Sequence, residues 1–229
     1  MVHLPPSPPA GIVGVVLAGG ASRRMGFDKR FAPLAGRPLV ARVVGRLAPQ
    51  VDTVALALDR DAARRLAAPG AWADLAGMDG CVAPALLVDA GDERAGPLAG
   101  LLAGLRWAAG RGGAARIVTT PVDTPFLPHD LVAGLAAAAA GNEIAVACSH
   151  GRRHPATALV PTVLADDLAG FLAAGERRVG AWLARHAVRD VHFPATQVAG
   201  HAVDPLQNLN TPEDLAAATL LVTSGRAPP

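Results

Sequence analysis

Apolar runs of strand length alternate with stretches of helical periodicity from Ile12 to Ala140, and this alternation restricts the fold more than any other feature of the chain. Ile12–Leu17, Thr53–Leu58, Pro84–Val88 and Ala115–Thr120 read as strands. Pro38–Leu47, Asp61–Ala68 and Pro97–Ala109 read as the helices between them, with Pro128–Ala140 as a fourth. Leu39, Val40, Val43, Val44 and Leu47 share one face of the first helix, and Pro97 suits the first turn of the third. The proline opening Pro84–Val88 suits a strand start or a sheet edge. A βαβαβαβα order predicts a mostly parallel sheet with helices on both faces, because parallel strands need crossovers and the crossovers carry the helices.

The second half departs from that pattern. Ile144–Cys148 and Thr157–Val160 read as strands joined through the polar stretch Ser149–Arg153, which predicts a hairpin. Pro161–Ala173 and Val179–His186 read as helices, and Val188–Phe193 as a strand. Thr211 is placed as an N-cap, with Pro212 at the first helical position and Glu213 and Asp214 in the first turn of a last helix. No linker or internal repeat divides the chain. Residues 11–222 are therefore expected to form one domain whose second half extends the same sheet, between a proline-rich tail over 1–10 and a short tail over 223–229.

With 51% hydrophobic and 17% charged residues, the chain can bury a substantial core and is not disordered. A net charge of +2, 3% aromatic residues and no tyrosine argue against nucleic acid as a partner. Cys81 and Cys148 lack metal-ligand spacing and are expected to pack as small buried hydrophobes. The start has no basic segment before an apolar one, as a signal peptide would, and no uncharged apolar run reaches membrane-spanning length. A cytoplasmic protein with no membrane partner is expected.

In open parallel sheets ligands bind beyond the carboxyl ends of the strands, and three candidate sites fall there. The first follows Leu17. Gly19 and Gly20 remove side chains so that backbone N–H groups can approach an anion, and Ser22, Arg23, Arg24 and Lys29 add donors and positive charge. Of the 21 basic residues, Lys29 alone is a lysine, a point charge where every other cation is a planar fork. Arg30 follows it, not Ser or Thr, and the spacing is not Gly-x-Gly-x-x-Gly, so neither a P-loop nor a dinucleotide fingerprint is present. The second site is Asp123, placed after a buried strand between Pro121 and Pro125, where it serves equally as a Mg²⁺ ligand or as the cap of a turn. The third is Asp89 with Gly96-Pro-Leu-Ala-Gly100 at a helix start, a phosphate-binding arrangement or simply a tight turn. Asn208 and Asn210 are neutral oxygen ligands or turn residues, His154 a substrate contact or a surface histidine, and Arg177 and Arg178 a second anion contact or a solvated face.

Leu17-Ala-Gly-Gly20, Arg24-Met-Gly26, Asp28-Lys29, Gly36-Arg-Pro-Leu39, Asp89, Gly96-Pro-Leu-Ala-Gly100, Asp123-Thr-Pro125, His154-Pro155, Gly175-Glu-Arg-Arg-Val179 and Asn208-Leu-Asn-Thr-Pro-Glu-Asp-Leu215 together resemble the molybdenum cofactor guanylyltransferase family, the MobA type of nucleotidyltransferase. The resemblance runs from residue 12 to the last helix. It implies a three-layer α/β/α Rossmann-like nucleotidyltransferase fold with a mostly parallel mixed sheet. It also implies transfer of GMP from GTP to molybdopterin, with Mg²⁺ as cofactor. By resemblance Leu17, Ala18, Gly19, Gly20, Lys29, Asp89 and Asp123 bind the nucleotide, and Asp123, with Asn208 as a weaker ligand, holds the metal. Lys29, Arg24 and Asp123 carry catalysis, while His154, Arg177, Arg178 and Asn210 face the acceptor. Molybdenum-insertion or molybdoenzyme-maturation proteins are the macromolecular partners implied. The glycine pattern at Gly19 is similar to the form that selects guanine, the alternatives being CTP or a sugar-phosphate acceptor, or a non-catalytic nucleotide-binding module. One departure stands out. The family's asparagine near the end of the second strand is absent; Ala57 is the nearest match, and the nucleotide contact is lost or passes to Asp59.

Overall fold

The computed structural model describes residues 9–19, 28–76, 83–88 and 96–224. In chain order its elements are β1 (Ile12–Leu17), β2 (Pro33–Leu34), β3 (Arg37–Pro38), α1 (Leu39–Leu47), β4 (Val54–Leu58), α2 (Arg60–Leu66), α3 (Ala71–Ala76), β5 (Ala85–Val88), α4 (Pro97–Gly110) and β6 (Arg116–Pro121). They continue with α5 (Leu131–Ala138), β7 (Ile144–Ser149), β8 (Arg152–Pro161), α6 (Ala165–Ala173), α7 (Val179–Leu183), β9 (Val188–His192), β10 (Thr196–Val198), β11 (His201–Val203) and α8 (Pro212–Ser224). Short 3₁₀ turns stand at Lys29–Phe31, Ala48–Gln50 and Thr162–Leu164.

Among the described residues, seven strands form one mixed sheet in the order β5-β4-β1-β6-β8-β7-β9. β5, β4, β1 and β6 pair in parallel, β8 runs against both β6 and β7, and β9 runs parallel to β7. The second half therefore extends the first half's sheet, and β5 lies at its edge, where the preceding proline is tolerated. Strand alternation splits the core into two layers. Ile12 and Val16 of β1 pack with Val40, Val44 and Leu47 of α1 and Leu131 and Leu135 of α5. Val13 and Val15 pack on the opposite face with Leu98, Leu101 and Leu105 of α4 and with Trp182 of α7. A three-layer α/β/α arrangement follows. A third apolar cluster seats α8 on Leu34, Leu39 and Phe126.

Several elements were not evident from the periodicity. β2–β3, α3 and β10–β11 are too short to build a recognisable repeat, and the 3₁₀ turn after Asp28 lies inside the loop-like stretch. The strand expected at Thr157–Val160 begins at Arg152, because β8 carries an irregular register against β7 between Val146 and Cys148 that takes in the polar residues. Arg153 then pairs with Asp190 of β9 at 2.6 and 2.8 Å. The start of α8 is as expected: Thr211 Oγ1 accepts from the Asp214 N–H, and Asp214 accepts from the N–H groups of Asn210 and Thr211. Cys148 is a buried free thiol, and Cys81 lies outside the described residues.

Both faces of β1 depend on glycine. A Cβ on Gly14 would stand 2.8 Å from Leu47, and one on Gly104 of α4 would stand 2.8 Å from Val15. A Gly104→Leu variant is expected to lose about 1–3 kcal/mol through overpacking, read as a lowered midpoint in urea unfolding. An unchanged midpoint would show that α4 does not sit this close.

Candidate active site

β1 is flanked by β4 on one side and β6 on the other, with the crossover from β1 to β4 running through α1 and the later crossover from β5 to β6 running through α4 on the opposite face. The crevice at the carboxyl ends of β1 and β6 is thus the topological switch point of the sheet, where such folds bind ligands. An open cleft of about 270 Å³ occupies it, lined by Leu17 and Gly19 at the end of β1, Pro121, Val122 and Asp123 at the end of β6, and Gly96, Pro97 and Gly100 at the start of α4, with Lys29, Ala156 and Asn208 completing the wall.

Asp123 is the anchor of this cleft. It is 4% exposed, and Asp123 and Arg30 are the only charged side chains classed as buried among the described residues. Val122 N–H donates to the Leu17 carbonyl at 3.1 Å, which carries the β1–β6 pairing one step past the strands. Thr124 Oγ1 donates to the Pro121 carbonyl at 2.7 Å, so the hydroxyl of Thr120, 3.0 Å away, must donate to Thr124. This chain of hydroxyls braces the turn that presents the carboxylate. Asp123 Oδ1 accepts from Asn208 Nδ2 at 2.8 Å, Oδ2 accepts from Lys29 Nζ at 2.5 Å, and its backbone carbonyl accepts from Leu209 N–H at 2.9 Å. The Lys29 and Asp123 side chains are 23% and 6% exposed. At that burial the loss of either partner costs about 3–5 kcal/mol, far above the near-zero worth of a surface pair. An anion with a divalent cation could satisfy both groups at once, the anion taking the ammonium and the cation the carboxylate. Mg²⁺ binds through one or two carboxylates with the remaining positions filled by water and phosphate oxygens, so the hard oxygen donor of Asp123 fits that ion.

Arg30, buried beside Lys29, was read in the sequence only as the residue that rules out a P-loop. Its Nε and Nη2 donate to the two oxygens of Asp28 at 2.7 and 2.8 Å, and its Nη1 donates to the Ala18 carbonyl at 3.0 Å and to Asp59 Oδ2. Burial works against the guanidinium charge, but its bonds to Asp28 and Asp59, together with their negative charges, outweigh it and raise its pKa. Burial likewise works against the Asp59 charge, and the Ala62 N–H and Arg30 outweigh it, holding the Asp59 pKa below the ordinary carboxylate value. The carboxylate of Asp59 therefore caps α2 and grips Arg30.

Other expected residues distribute as follows. Leu17, Gly19, Lys29, Asp123 and Asn208 line one cleft, while Ala18 is not part of its lining; the Ala18 N–H bonds to the Ala57 carbonyl. Gly20, Arg24 and Asp89 lie outside the described residues. His154, Arg177, Arg178 and Asn210 are not part of the lining. Arg177 Nη1 donates to the carbonyls of Leu172 and Glu176 at the end of α6, and Arg178 precedes α7. His154 belongs to a network invisible in the sequence. Ser149 Oγ donates to Asp204 Oδ1 at 2.6 Å, and Asp204 Oδ1 also accepts from Leu206 N–H at 2.9 Å. Ser149 has one hydroxyl hydrogen, so the 2.9 Å contact with His154 Nε2 requires that this nitrogen carry a hydrogen. The segment from Asp204 to Asn208 thus ties the His154 network to Asp123.

The model of the MobA-like NTP transferase domain matches residues 14–191. A molybdenum cofactor guanylyltransferase of Cereibacter sphaeroides is 45% identical over 212 residues, covering 92% of this chain and 97% of the relative. One from Rhizobium rhizogenes strain K84 is 42% identical over 213 residues, covering 92% of each. The crystal structure of molybdopterin-guanine dinucleotide biosynthesis protein A from Archaeoglobus fulgidus superposes with a TM-score of 0.64 at 21% identity, covering 91% of this chain and 96% of that one, which is a likeness of fold.

Burial pushes the His154 pKa below its ordinary value, Arg152 acts in the same direction, and Asp204 opposes both. The folded state therefore favours the neutral ring. The stability this contributes is present above the unfolded-state pKa of about 6.5 and is lost as pH falls below it. Nitrogen NMR is expected to show His154 as the Nε2–H tautomer at pH 7, titrating below free histidine. An Nδ1–H tautomer or a raised pKa would contradict the network.

Proposed function

The chain belongs to the molybdenum cofactor guanylyltransferases of the MobA-like NTP transferase family, and on that premise we propose that it moves GMP from GTP onto the terminal phosphate of molybdopterin in the cleft between β1 and β6. The observation that carries this reading is the meeting of Lys29 and Asp123 at the switch point of the sheet.

In the proposed reaction an oxygen of the pterin phosphate attacks the α-phosphorus of GTP. A new P–O bond forms, the bond to the β-phosphate bridging oxygen breaks, and pyrophosphate leaves with the electron pair. Such a transfer depends on positioning and charge neutralisation, so no covalent enzyme intermediate is invoked. Leu17, Ala18 and Gly19 offer the backbone at the end of β1, with Gly20 and Arg24 extending that contact toward the leaving phosphates in our assignment. Asp89 is assigned to the nucleotide as well. Lys29 supplies the cation for the transferring phosphoryl group. Asp123, with the Asn208 amide on its other oxygen, would hold Mg²⁺, and Asn208 itself is the weaker ligand of that assignment. When bound, the ion withdraws charge from the phosphate oxygens as a Lewis acid. The start of α4, with Gly96 and Gly100 in the wall, adds a helix N-terminus favourable to negative charge.

For the acceptor we assign His154 and Asn210, on either side of the segment that carries Asn208. Arg177 and Arg178 complete the assignment; because Arg177 already serves the end of α6, its acceptor contact falls to the rest of its fork. A cytoplasmic setting, with delivery by molybdenum-insertion or molybdoenzyme-maturation proteins, accompanies this reading. Among the described residues no helix is long and apolar enough to cross a membrane.

Lys29→Ala and Asp123→Asn are each expected to lower turnover by about 10²–10³-fold while preserving the far-ultraviolet circular dichroism spectrum. Unchanged turnover in either variant would remove that residue from the chemistry. GTP with Mg²⁺ at 100 times its Kd should stabilise the protein by about 2.7 kcal/mol, a rise in Tm of roughly 5–10 °C for a chain of this size. CTP should leave Tm unchanged. The reverse pattern would reassign the nucleotide.

A further inference from the structure

Arg30 is not part of the cleft lining, but its side chain meets the backbone of Ala18, which is assigned to the nucleotide, and its guanidinium makes four hydrogen bonds. All three of its guanidinium nitrogens donate, and their acceptors come from three separate parts of the chain: the carboxylate of Asp28, the carbonyl of Ala18 just past β1, and the carboxylate of Asp59 just past β4. We propose that Arg30 is a positioning residue for Lys29, its fork fixing the 3₁₀ turn Lys29–Phe31 against the carboxyl ends of β1 and β4 so that the neighbouring ammonium meets Asp123.

Each support of that turn is itself anchored. Asp28 Oδ1 accepts from Arg30 N–H at 3.2 Å, and the Asp28 carbonyl accepts from Phe31 N–H at 3.1 Å, so Asp28 starts the turn and grips its second residue. Ala18 N–H bonds to the Ala57 carbonyl at 2.8 Å, which holds the Ala18 carbonyl in line with β4. Asp59 accepts from Ala62 N–H at 2.9 Å, which ties it to the first turn of α2. A lysine at position 30 could not span these acceptors, because its donors radiate from one nitrogen. The same geometry gives Asp59 a job. It is the far anchor of the clamp. The functional consequence of the inference rests on the reading of Lys29 as the cation for the nucleotide, but the clamp itself can be tested without nucleotide.

Lys29 is the only lysine of the chain, so protein labelled with lysine carrying ¹³C at Cε and ¹⁵N at Nζ gives one side-chain ammonium signal. Asp123→Asn defines where that signal lies when the ion pair is lost. In Arg30→Met, without nucleotide, the signal is expected to move toward the Asp123→Asn position. Asp59→Asn, which keeps an oxygen for the Ala62 cap, should move it in the same direction by less, and it serves if Arg30→Met does not fold. GTP affinity, measured by calorimetry with Mg²⁺ well below Tm, should fall at least about tenfold in Arg30→Met, with the KM for the pterin acceptor unchanged. A Lys29 signal identical to wild type in the folded Arg30 variant, or in Asp59→Asn if only that variant folds, would overturn the proposal even if Tm fell. A wild-type signal that does not respond to GTP would instead sink the nucleotide reading and leave the Arg30 result to stand or fall by the signal alone.

Discussion

The ammonium of Lys29 reaches across 94 positions of sequence to the carboxylate of Asp123, and the architecture around the cleft can be understood as the means of bringing these two charges together. Neither charge is cheap to bury alone. Asp123 tolerates its position because Asn208 and Lys29 each take one of its oxygens and because the turn beneath it is closed by Thr120 and Thr124. Lys29 tolerates its position because the adjoining turn is clamped at Asp28, Ala18 and Asp59. Both groups are held by hydrogen bonds before any ligand arrives. That preorganisation is what a phosphoryl-group transferase needs, since little of its rate comes from covalent chemistry by the protein.

The sheet makes the meeting possible. β1 and β6 are adjacent and parallel, so the residues following both strands emerge on one edge. Their crossovers pack on opposite faces, with Gly14 and Gly104 letting α1 and α4 approach β1 closely. The late segment Asp204–Asn208 then comes back over that edge, bonded to Ser149 at one end and to Asp123 at the other. One strip of chain thereby connects the part of the site assigned to the acceptor with the part assigned to the nucleotide.

What the sequence disclosed followed from locality. Helix and strand periods are repeated within a few residues, so β1, α1, β4, α4, β6 and the capped start of α8 could all be placed from their own residues. Two-residue strands such as β2 and β3, and a helix of fewer than two turns such as α3, offer too few repeats of their own period to be seen. Lys29 and Asp123 could each be singled out, one as the lone lysine after a glycine pair and the other as an acid at a strand end. Nothing in their spacing showed that they touch. The resemblance supplied that link. Arg30 was missed because two of its three acceptors, Ala18 and Asp59, are brought to it only by folding, and the one local clue was Asp28 two positions before it. Asp204 was missed for the same reason, since it meets Ser149 from 55 positions away, and Ser149, five positions from His154, lay in a stretch read only as polar. Asp59, to which the absent asparagine's contact could pass, also holds Ala62 and Arg30, a role that the sequence did not show.

The most direct test is a crystal structure of the protein with a non-hydrolysable GTP analogue and Mg²⁺. Lys29 Nζ should leave Asp123 Oδ2 for a phosphate oxygen at about 2.7–3.2 Å, with Asp123 on the metal that touches the same triphosphate. A nucleotide seated elsewhere, or one seated in the cleft while Lys29 remains on Asp123 and neither group meets a phosphate or its metal, would contradict the account.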